Sequence, residues 1–170
     1  MANSLFFVVS LTFKILLPQN PVNMEDIYRR IPHRPPFLFV DRVVELNAED
    51  ATCELMVRED LDIFKGHYPN NPIFPGVLSC EAVFQTGAIF LSEIIGKDAL
   101  NSNSSTPVLS RIRDARFKRM IKPGDLIQIK VFLQEQIGKF YNLRGEIRHQ
   151  DKVVTTVSFA LALIKEEPIA

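Results

Sequence analysis

The sequence has few of the residues that mark disulfide, metal or redox chemistry. Its 170 residues include two cysteines and three histidines. The cysteines, Cys53 and Cys80, form no C-x-x-C motif and no cluster with histidine, so neither a disulfide framework nor a metal site is indicated. Cys53 lies in an alternating run and Cys80 in an apolar run, which is typical of small core residues. This cysteine usage indicates a cytoplasmic protein.

The chain also lacks an excess of charge of either sign. Twenty basic residues balance twenty acidic ones, so the formal net charge at pH 7 is zero. A balanced chain has no overall field that would attract nucleic acid or an anionic membrane. Its length predicts a single domain with a hydrophobic core of its own.

The N-terminal apolar run is too short to cross a membrane. It extends from Leu5 to Leu17 and contains Lys14. No basic region precedes it and no small-residue cleavage site follows it, so it does not read as a signal peptide. We interpret residues 1–23 as a dispensable extension or as the product of an upstream start codon, and residues 24–170 as the domain. A membrane-surface or partner-binding segment is the alternative.

Hydrophobic periodicity predicts an α+β domain. The expected helices cover 24–31 and 76 to about 95, the expected strands cover 37–47, 51–58, 126–134, 141–149 and 153–164, and a polar loop covers 101–106. The long helix is apolar nearly all round, so it is expected to be buried. The simplest assembly is an antiparallel sheet around that helix.

A histidine precedes the long helix in a loop that contains three prolines. Pro69, Pro72 and Pro75 restrict the backbone that follows His67 and exclude a helix there. A single histidine is usually structural or merely exposed, but a stiff loop before a helix start favours a catalytic base. His33, between prolines and beside an arginine, suits a structural hydrogen bond, and His149 is expected to be exposed to solvent.

Two further features near this loop suit proton transfer. Glu81 lies in an apolar helix, where a carboxyl group is more readily kept protonated, as a general acid requires. Glu81, Gln85 and Ser92 also form a polar stripe, which a wet helix edge would explain equally well. Gly76 begins the helix, and its free backbone N–H could bind a developing oxyanion.

Basic residues are crowded between positions 111 and 122. Six basic side chains stand there against one acidic side chain, Asp114; they are Arg111, Arg113, Arg116, Lys118, Arg119 and Lys122. An outward strand face would explain much of this pattern. An acidic partner or a phosphate-bearing ligand explains its one-sidedness better.

Four motifs in order along the chain resemble the 3-hydroxyacyl-[acyl-carrier-protein] dehydratases of the FabZ type. They lie at residues 31–41 (IPHRPPFLFVD), at residues 66–78 (GHYPNNPIFPGVL) with Glu81 and Gln85 following, at residues 115–118 and at residues 123–125. The resemblance covers residue 24 to the C-terminus. It implies a hot-dog fold, in which an antiparallel sheet wraps a long central helix.

The resemblance also implies roles for individual residues. His67 would be the catalytic base, Glu81 of the neighbouring subunit the acid, and the Gly76 amide the oxyanion donor. The site would lie at the interface of a homodimer, and three such dimers would often form a hexamer. No cofactor would be needed, because the substrate is carried on the phosphopantetheine of acyl carrier protein. The candidate residues of the acyl tunnel are Phe74, Val83 and Phe84, and the basic run would contact the carrier protein.

The implied reaction removes water from a 3-hydroxyacyl thioester and gives a trans-2-enoyl thioester in type II fatty acid biosynthesis. Glutamate at position 81 favours the plain dehydratase over the isomerising FabA type. Cys80 and Phe84 depart from the small residues common in the family, so the tunnel length stays open. The alternatives are an acyl thioesterase on the same fold, in which Glu81 would activate water, and a non-catalytic carrier-binding subunit.

Overall fold

The computed structural model describes residues 24–96 and 105–164. The N-terminal extension, residues 1–23, and most of the polar loop predicted at 101–106 lie outside the described residues. The helices are α1 Met24–Arg30, α2 Ile63–Gly66 and α3 Gly76–Ile95. The strands are β1 Arg42–Leu46, β2 Asp50–Met56, β3 Thr106–Phe117, β4 Leu126–Ile137, β5 Phe140–His149 and β6 Lys152–Ile164.

Helix α3 is the centre of the fold, and its bounds are those predicted from the sequence. Pro75 is the N-cap residue, with extended backbone angles (φ −57°, ψ 135°) that start the helix at Gly76. The positions from Ala82 to Leu91 are all buried. By length and composition alone α3 could cross a membrane, but most of it is covered by the rest of this domain. It is therefore the core helix of the domain.

The strands form one six-stranded sheet in the order β1-β2-β4-β5-β6-β3, and every neighbouring pair is antiparallel. Alternate residues of β4, such as Ile127, Ile129 and Val131, are buried, as the period of two predicts. The sheet contacts α3 through five of its strands, β2 to β6. A single sheet wrapped around one helix is the α+β hot-dog arrangement, which confirms the predicted fold class.

Helix α1 is attached to the C-terminal end of α3 through a buried arginine. Arg30 is 3% exposed, and its guanidinium donates to Asp26 at 2.9 Å and to Ser92 Oγ and Glu93 at 3.0 Å each. The buried Arg30 guanidinium thus has two carboxylates and a hydroxyl group as partners, and a buried charge needs such partners to be stable. Ser92 is thus a fully buried hydrogen-bond acceptor for Arg30. The alternative that this position lies on a solvent-exposed edge of the helix is wrong.

The first strand begins later than the prediction of 37–47. The backbone of residues 37–39 forms hydrogen bonds with the side chain of Gln85: Phe39 N–H donates to Oε1 at 2.8 Å, and Phe37 O accepts from Nε2 at 3.1 Å. Because these groups bind a helix side chain, they pair with no neighbouring strand. Regular pairing starts at Arg42.

The two cysteines and His149 are all shielded from solvent to a large extent. Cys53 and Cys80 are free and buried, which confirms their role in the core, and burial raises the pKa of the Cys53 thiol to about 12. His149 was expected to be exposed, and this is wrong: its side chain is 23% exposed and its Nδ1 lies 3.4 Å from Asp125 Oδ2. The turn at residues 123–125 folds against the end of β5, which shields this histidine.

A glycine in β5 allows the sheet to pack closely on α3. A Cβ atom at Gly145 would lie only 2.2 Å from Val83 Cγ1. We therefore expect Gly145→Ala to lower the free energy of unfolding by about 1–3 kcal/mol, as overpacked cores do. Urea unfolding measures this change. Val83→Ala removes the clash, so a Gly145→Ala change that costs as much stability in a Val83→Ala background as in the wild type would contradict this account.

Candidate active site

The loop that carries His67 is held by backbone hydrogen bonds at several points. His67 N–H donates to Ile63 O at 2.9 Å, so the residue follows directly on α2. Asn71 N–H donates to Tyr68 O at 2.8 Å, and Phe74 N–H donates to Ile121 O at 2.8 Å. These bonds fix the loop at both ends and in the middle. The prolines and the hydrogen bonds together keep His67 in one place.

A hydrogen bond fixes the tautomer of the neutral His67 ring. Its Nδ1 lies 2.8 Å from the backbone carbonyl oxygen of Ile73. Because a carbonyl can only accept, Nδ1 carries the proton in this contact, and the neutral ring has an unprotonated Nε2. A histidine oriented in this way can take up a proton at Nε2.

The residue after His67 has an unusual backbone conformation. Tyr68 has a φ of 56°, in the left-handed region that non-glycine residues rarely occupy. Its side chain is exposed, and its ring lies edge-on to the His67 ring with centroids 4.7 Å apart. Backbone strain of this kind clusters at functional sites. It supports the interpretation of the loop as part of an active site.

The start of α3 offers a free hydrogen-bond donor beside this loop. The Pro75 carbonyl accepts from Leu78 and Ser79 N–H, both at 3.0 Å. In the described part of the chain, the Gly76 N–H has no acceptor. A Cβ atom at Gly76 would lie 2.9 Å from the Phe117 ring, so only glycine fits here without a shift. The amide therefore combines an open donor with the positive end of a helix dipole.

His67 and Gly76 line the same cavity of about 630 Å³. The other lining residues come from the loop, the first turn of α3, the end of β3, the segment after it and one position of β6: Tyr68, Ile73, Phe74, Pro75, Val77, Ser79, Phe117, Lys118, Arg119, Met120, Ile121 and Thr155. Most of these residues are apolar, and Lys118 and Arg119 are basic. A cavity of this size and lining can hold a small organic ligand.

Glu81 lies on α3, where Gln85 fixes its carboxyl group. Gln85 Nε2 donates to Glu81 Oε1 at 2.9 Å, and the Gln85 side chain is itself buried. The Glu81 side chain is 20% exposed, so it is mostly desolvated but reachable. The polar stripe of Glu81, Gln85 and Ser92 is thus hydrogen-bonded within the protein, and it is not a solvent-exposed edge of the helix.

His33 lies next to the same carboxyl group, which the sequence did not reveal. Its Nε2 is 3.6 Å from Glu81 Oε1. Burial lowers the pKa of the His33 imidazole; the Glu81 carboxylate opposes this shift and Arg34 adds to it. His33 is therefore neutral at pH 7. The only sequence signal was its position between prolines, which fixes the backbone around it.

The structure does not bring His67 and Glu81 together within one chain. Glu81 is absent from the lining of the His67 cavity, and the partners of its carboxyl group are Gln85 and His33. His67 contacts Ile73 and the ring of Tyr68. His67 and the Gly76 amide thus share one cavity of the chain, and Glu81 does not line it.

The candidate residues of the acyl tunnel have different surroundings. Phe74 is buried and lines the His67 cavity. Val83 and Phe84 do not line that cavity: Val83 is packed against β5, and Phe84 contacts Phe159 with ring centroids 4.9 Å apart. Their role in the tunnel stays a prediction.

All six basic candidates are exposed, on β3 and the segment after it. They are Arg111, Arg113, Arg116, Lys118, Arg119 and Lys122. Lys118 and Arg119 line the His67 cavity, so part of the basic run lies at the site itself. Arg116 forms an ion pair with Asp114 at 3.1 Å. Within residues 24–96 and 105–164, no group of three or more histidine, cysteine or acidic side chains could hold a metal ion.

Comparisons with known proteins identify the family of this chain. A family profile described as the FabA-like domain matches residues 31–158. The chain is 33% identical over 153 residues to the 3-hydroxyacyl-[acyl-carrier-protein] dehydratase FabZ of Caulobacter vibrioides, covering 89% of this chain and 94% of that protein. It is 34% identical over 147 residues to the FabZ of Pseudothermotoga lettingae, covering 86% and 99%.

Solved structures share the fold at lower sequence identity. The ApeI:P dehydratase heterocomplex of Xenorhabdus doucetiae matches with a TM-score of 0.69 and 20% identity, over 89% of this chain and 93% of that one. An uncharacterised protein of Pyrococcus horikoshii matches with a TM-score of 0.61 and 16% identity, over 89% and 98%. The chain therefore belongs to the FabA-like family, on the branch of the FabZ-type dehydratases.

Proposed function

We propose that this protein is a 3-hydroxyacyl-[acyl-carrier-protein] dehydratase of fatty acid biosynthesis. The observation that carries the proposal is the orientation of His67: its Nδ1 faces the Ile73 carbonyl at 2.8 Å, which leaves Nε2 as a base in a cavity that also contains the Gly76 amide. A base next to an oxyanion donor is what removal of a proton α to a thioester carbonyl requires.

The proposed reaction proceeds by two proton transfers. The Gly76 N–H and the α3 dipole polarise the thioester carbonyl, which stabilises the negative charge that develops when the Cα–H bond breaks. His67 Nε2 takes the α-proton, and Glu81 delivers a proton to the 3-hydroxyl group as the Cβ–O bond breaks. Water and a trans-2-enoyl thioester are the products. Each proton transfer contributes a factor of about 10²–10⁴, and neither transfer needs a cofactor.

We propose that Glu81 comes from a second copy of the chain. Strand β3 is twelve residues long, lies at the edge of the sheet and is exposed at all but its first two positions. Val108, Leu109 and Ile112 are apolar and exposed there. A long edge of this kind is a template for pairing with another strand. Pairing of β3 with its two-fold copy would form a homodimer, with sites at the interface; a trimer of such dimers is the larger assembly that we propose.

The carrier protein is the proposed partner of the basic run. Lys118 and Arg119 follow β3 and lie at the His67 cavity, so an acidic protein docked on these two residues would have its prosthetic arm next to the base. Opposite charges at the rim of such a contact raise the rate of association. We also propose that the enzyme works in the cytoplasm and that residues 1–23 are dispensable.

An assay of both directions tests the proposed function. We expect the wild-type protein to interconvert a 3-hydroxyacyl thioester and its trans-2-enoyl product on acyl carrier protein, with absorbance of the enoyl group as the readout. Hydrolysis of the thioester without interconversion would mean a thioesterase. Formation of the cis-3-enoyl isomer would mean an isomerising FabA-like enzyme. Carrier binding without either reaction would mean a binding subunit.

A further inference from the structure

His33 occupies a position that the proposed reaction does not use. Its Nε2 lies 3.6 Å from Glu81 Oε1, the same oxygen that accepts from Gln85 Nε2 at 2.9 Å. Among the described residues, the second carboxyl oxygen, Oε2, has no hydrogen-bond donor. The carboxyl group is thus held through one oxygen and open at the other.

The backbone around His33 is rigid. The Arg34 guanidinium donates to the carbonyl oxygens of Tyr28, Ile31 and His33 at 3.0, 2.9 and 2.7 Å, and so ties this segment to the end of α1. The His33 ring stacks on the Phe37 ring, with centroids 6.3 Å apart and an interplanar angle of 28°. Phe37 is in turn bound to Gln85. The imidazole is therefore held between two segments that are themselves anchored.

The ring also has an unsatisfied polar atom. His33 Nδ1 is buried and has no hydrogen-bond partner within residues 24–96 and 105–164. A buried nitrogen without a partner costs free energy. The charged and titratable groups that face the ring are Glu81 from α3 and Arg34 from its own segment. Of these two, only Glu81 is positioned to bind Nε2.

We propose that His33 is a positioning residue for Glu81: its Nε2–H and the Gln85 amide hold Oε1, so that Oε2 points to the 3-hydroxyl group of the substrate. This inference rests on the proposed function, in which Glu81 is the acid. The distance of 3.6 Å is too long for a hydrogen bond in the free enzyme. Such contacts often shorten when the substrate binds.

Three substitutions at position 33 separate the contact from the packing. His33→Gln places an amide N–H near the position of Nε2, His33→Asn places it near the position of Nδ1, and His33→Phe keeps the stacked ring without any nitrogen. We expect kcat to fall by up to about 100-fold in the Asn and Phe variants, because the acid is misplaced. We expect the Gln variant to stay within about threefold of the wild type, and KM to change little in all three, since His33 does not bind substrate. A Phe variant with wild-type kcat, or a Gln variant as impaired as the Phe variant, would overturn the proposal.

A second measurement does not depend on activity. The His33 ring is titrated by NMR in the wild type and in Glu81→Gln. The Glu81 charge raises the His33 pKa, so its removal is expected to lower that pKa further. An unchanged His33 pKa would mean that the two groups do not interact, even if the position 33 variants fail to fold. A wild-type protein that shows this coupling but does not dehydrate its substrate would contradict the proposed function and not the pairing.

Discussion

Dimers that combine His67→Ala in one chain with Glu81→Gln in the other are expected to recover about half the activity of wild-type dimers. Each variant alone should lose a factor of about 10²–10⁴ in kcat, because a proton transfer is removed. In the mixed dimer, one site has lost both residues. The other site takes His67 from one chain and Glu81 from the other, and both of these are intact.

The reason for this expectation is the separation of the two residues in the structure. The cavity that contains His67 and Gly76 is not lined by Glu81. The Glu81 carboxyl group is held by Gln85 on the side of α3 that faces residues 33–39. A single chain therefore holds the proposed base and the proposed acid in different places, and for this reason we expect a complete site to require the partner.

The matched control places both substitutions on one chain and pairs it with a wild-type chain. If the sites are shared, both sites of this dimer lack one group and the dimer is inactive. If each site lies within one chain, the result is reversed: this dimer keeps half the activity and the first one has none. Two affinity tags isolate the mixed dimers, and turnover of the 3-hydroxyacyl thioester is measured on each. The crossed pair of dimers therefore distinguishes the two arrangements directly.

Local signals in the sequence predicted α3 and strands β4 to β6, but they gave no bounds for α2 or β3. Pro75 and Gly76 mark the start of α3, and the uninterrupted apolar run that follows fixes its length and burial. The alternation in β4 and β5 gave the strands because a sheet covered on one face buries every second residue. His67 was predicted to be the base because prolines restrict the loop that follows it, and this role stays a prediction.

Contacts between distant segments could not be predicted in the same way. The hydrogen bonds from Gln85 to residues 37–39 displaced the start of β1, and no local pattern marks a glutamine that binds backbone. The pairing of β3 with β6, at the far edge from β1, depends on the whole topology. The approach of His33 to Glu81 joins segments 48 residues apart by their numbers in the chain. Such contacts arise from packing, which a single sequence does not display.

The second large effect is expected at Gly76, where proline would delete the proposed oxyanion donor and little else. Proline is favoured at the first position of a helix, where its missing N–H has no intrahelical acceptor. The residue before it, Pro75, already has the extended ψ of 135° that a following proline requires. Gly76→Pro should therefore leave α3 in place. Its effect on catalysis should report the loss of one N–H group.

Phe117 complicates this test, because any Cβ atom at position 76 would meet its ring at 2.9 Å. The substitutions are therefore made in a Phe117→Ala background, which opens the space. There, Gly76→Ala keeps the N–H and serves as the control for the added carbon. We expect Gly76→Pro to have a kcat about 10²–10³-fold lower than this control, the loss typical of one oxyanion donor.

The comparison of the two double variants decides the role of the amide. Both carry a Cβ atom at position 76 and both lack the Phe117 ring, so they differ in the backbone N–H and the proline ring alone. Circular dichroism and urea unfolding check that α3 is retained in each. Equal kcat values in the two variants would show that the Gly76 N–H does not stabilise the transition state, and glycine would then be required at this position for its fit against Phe117 alone.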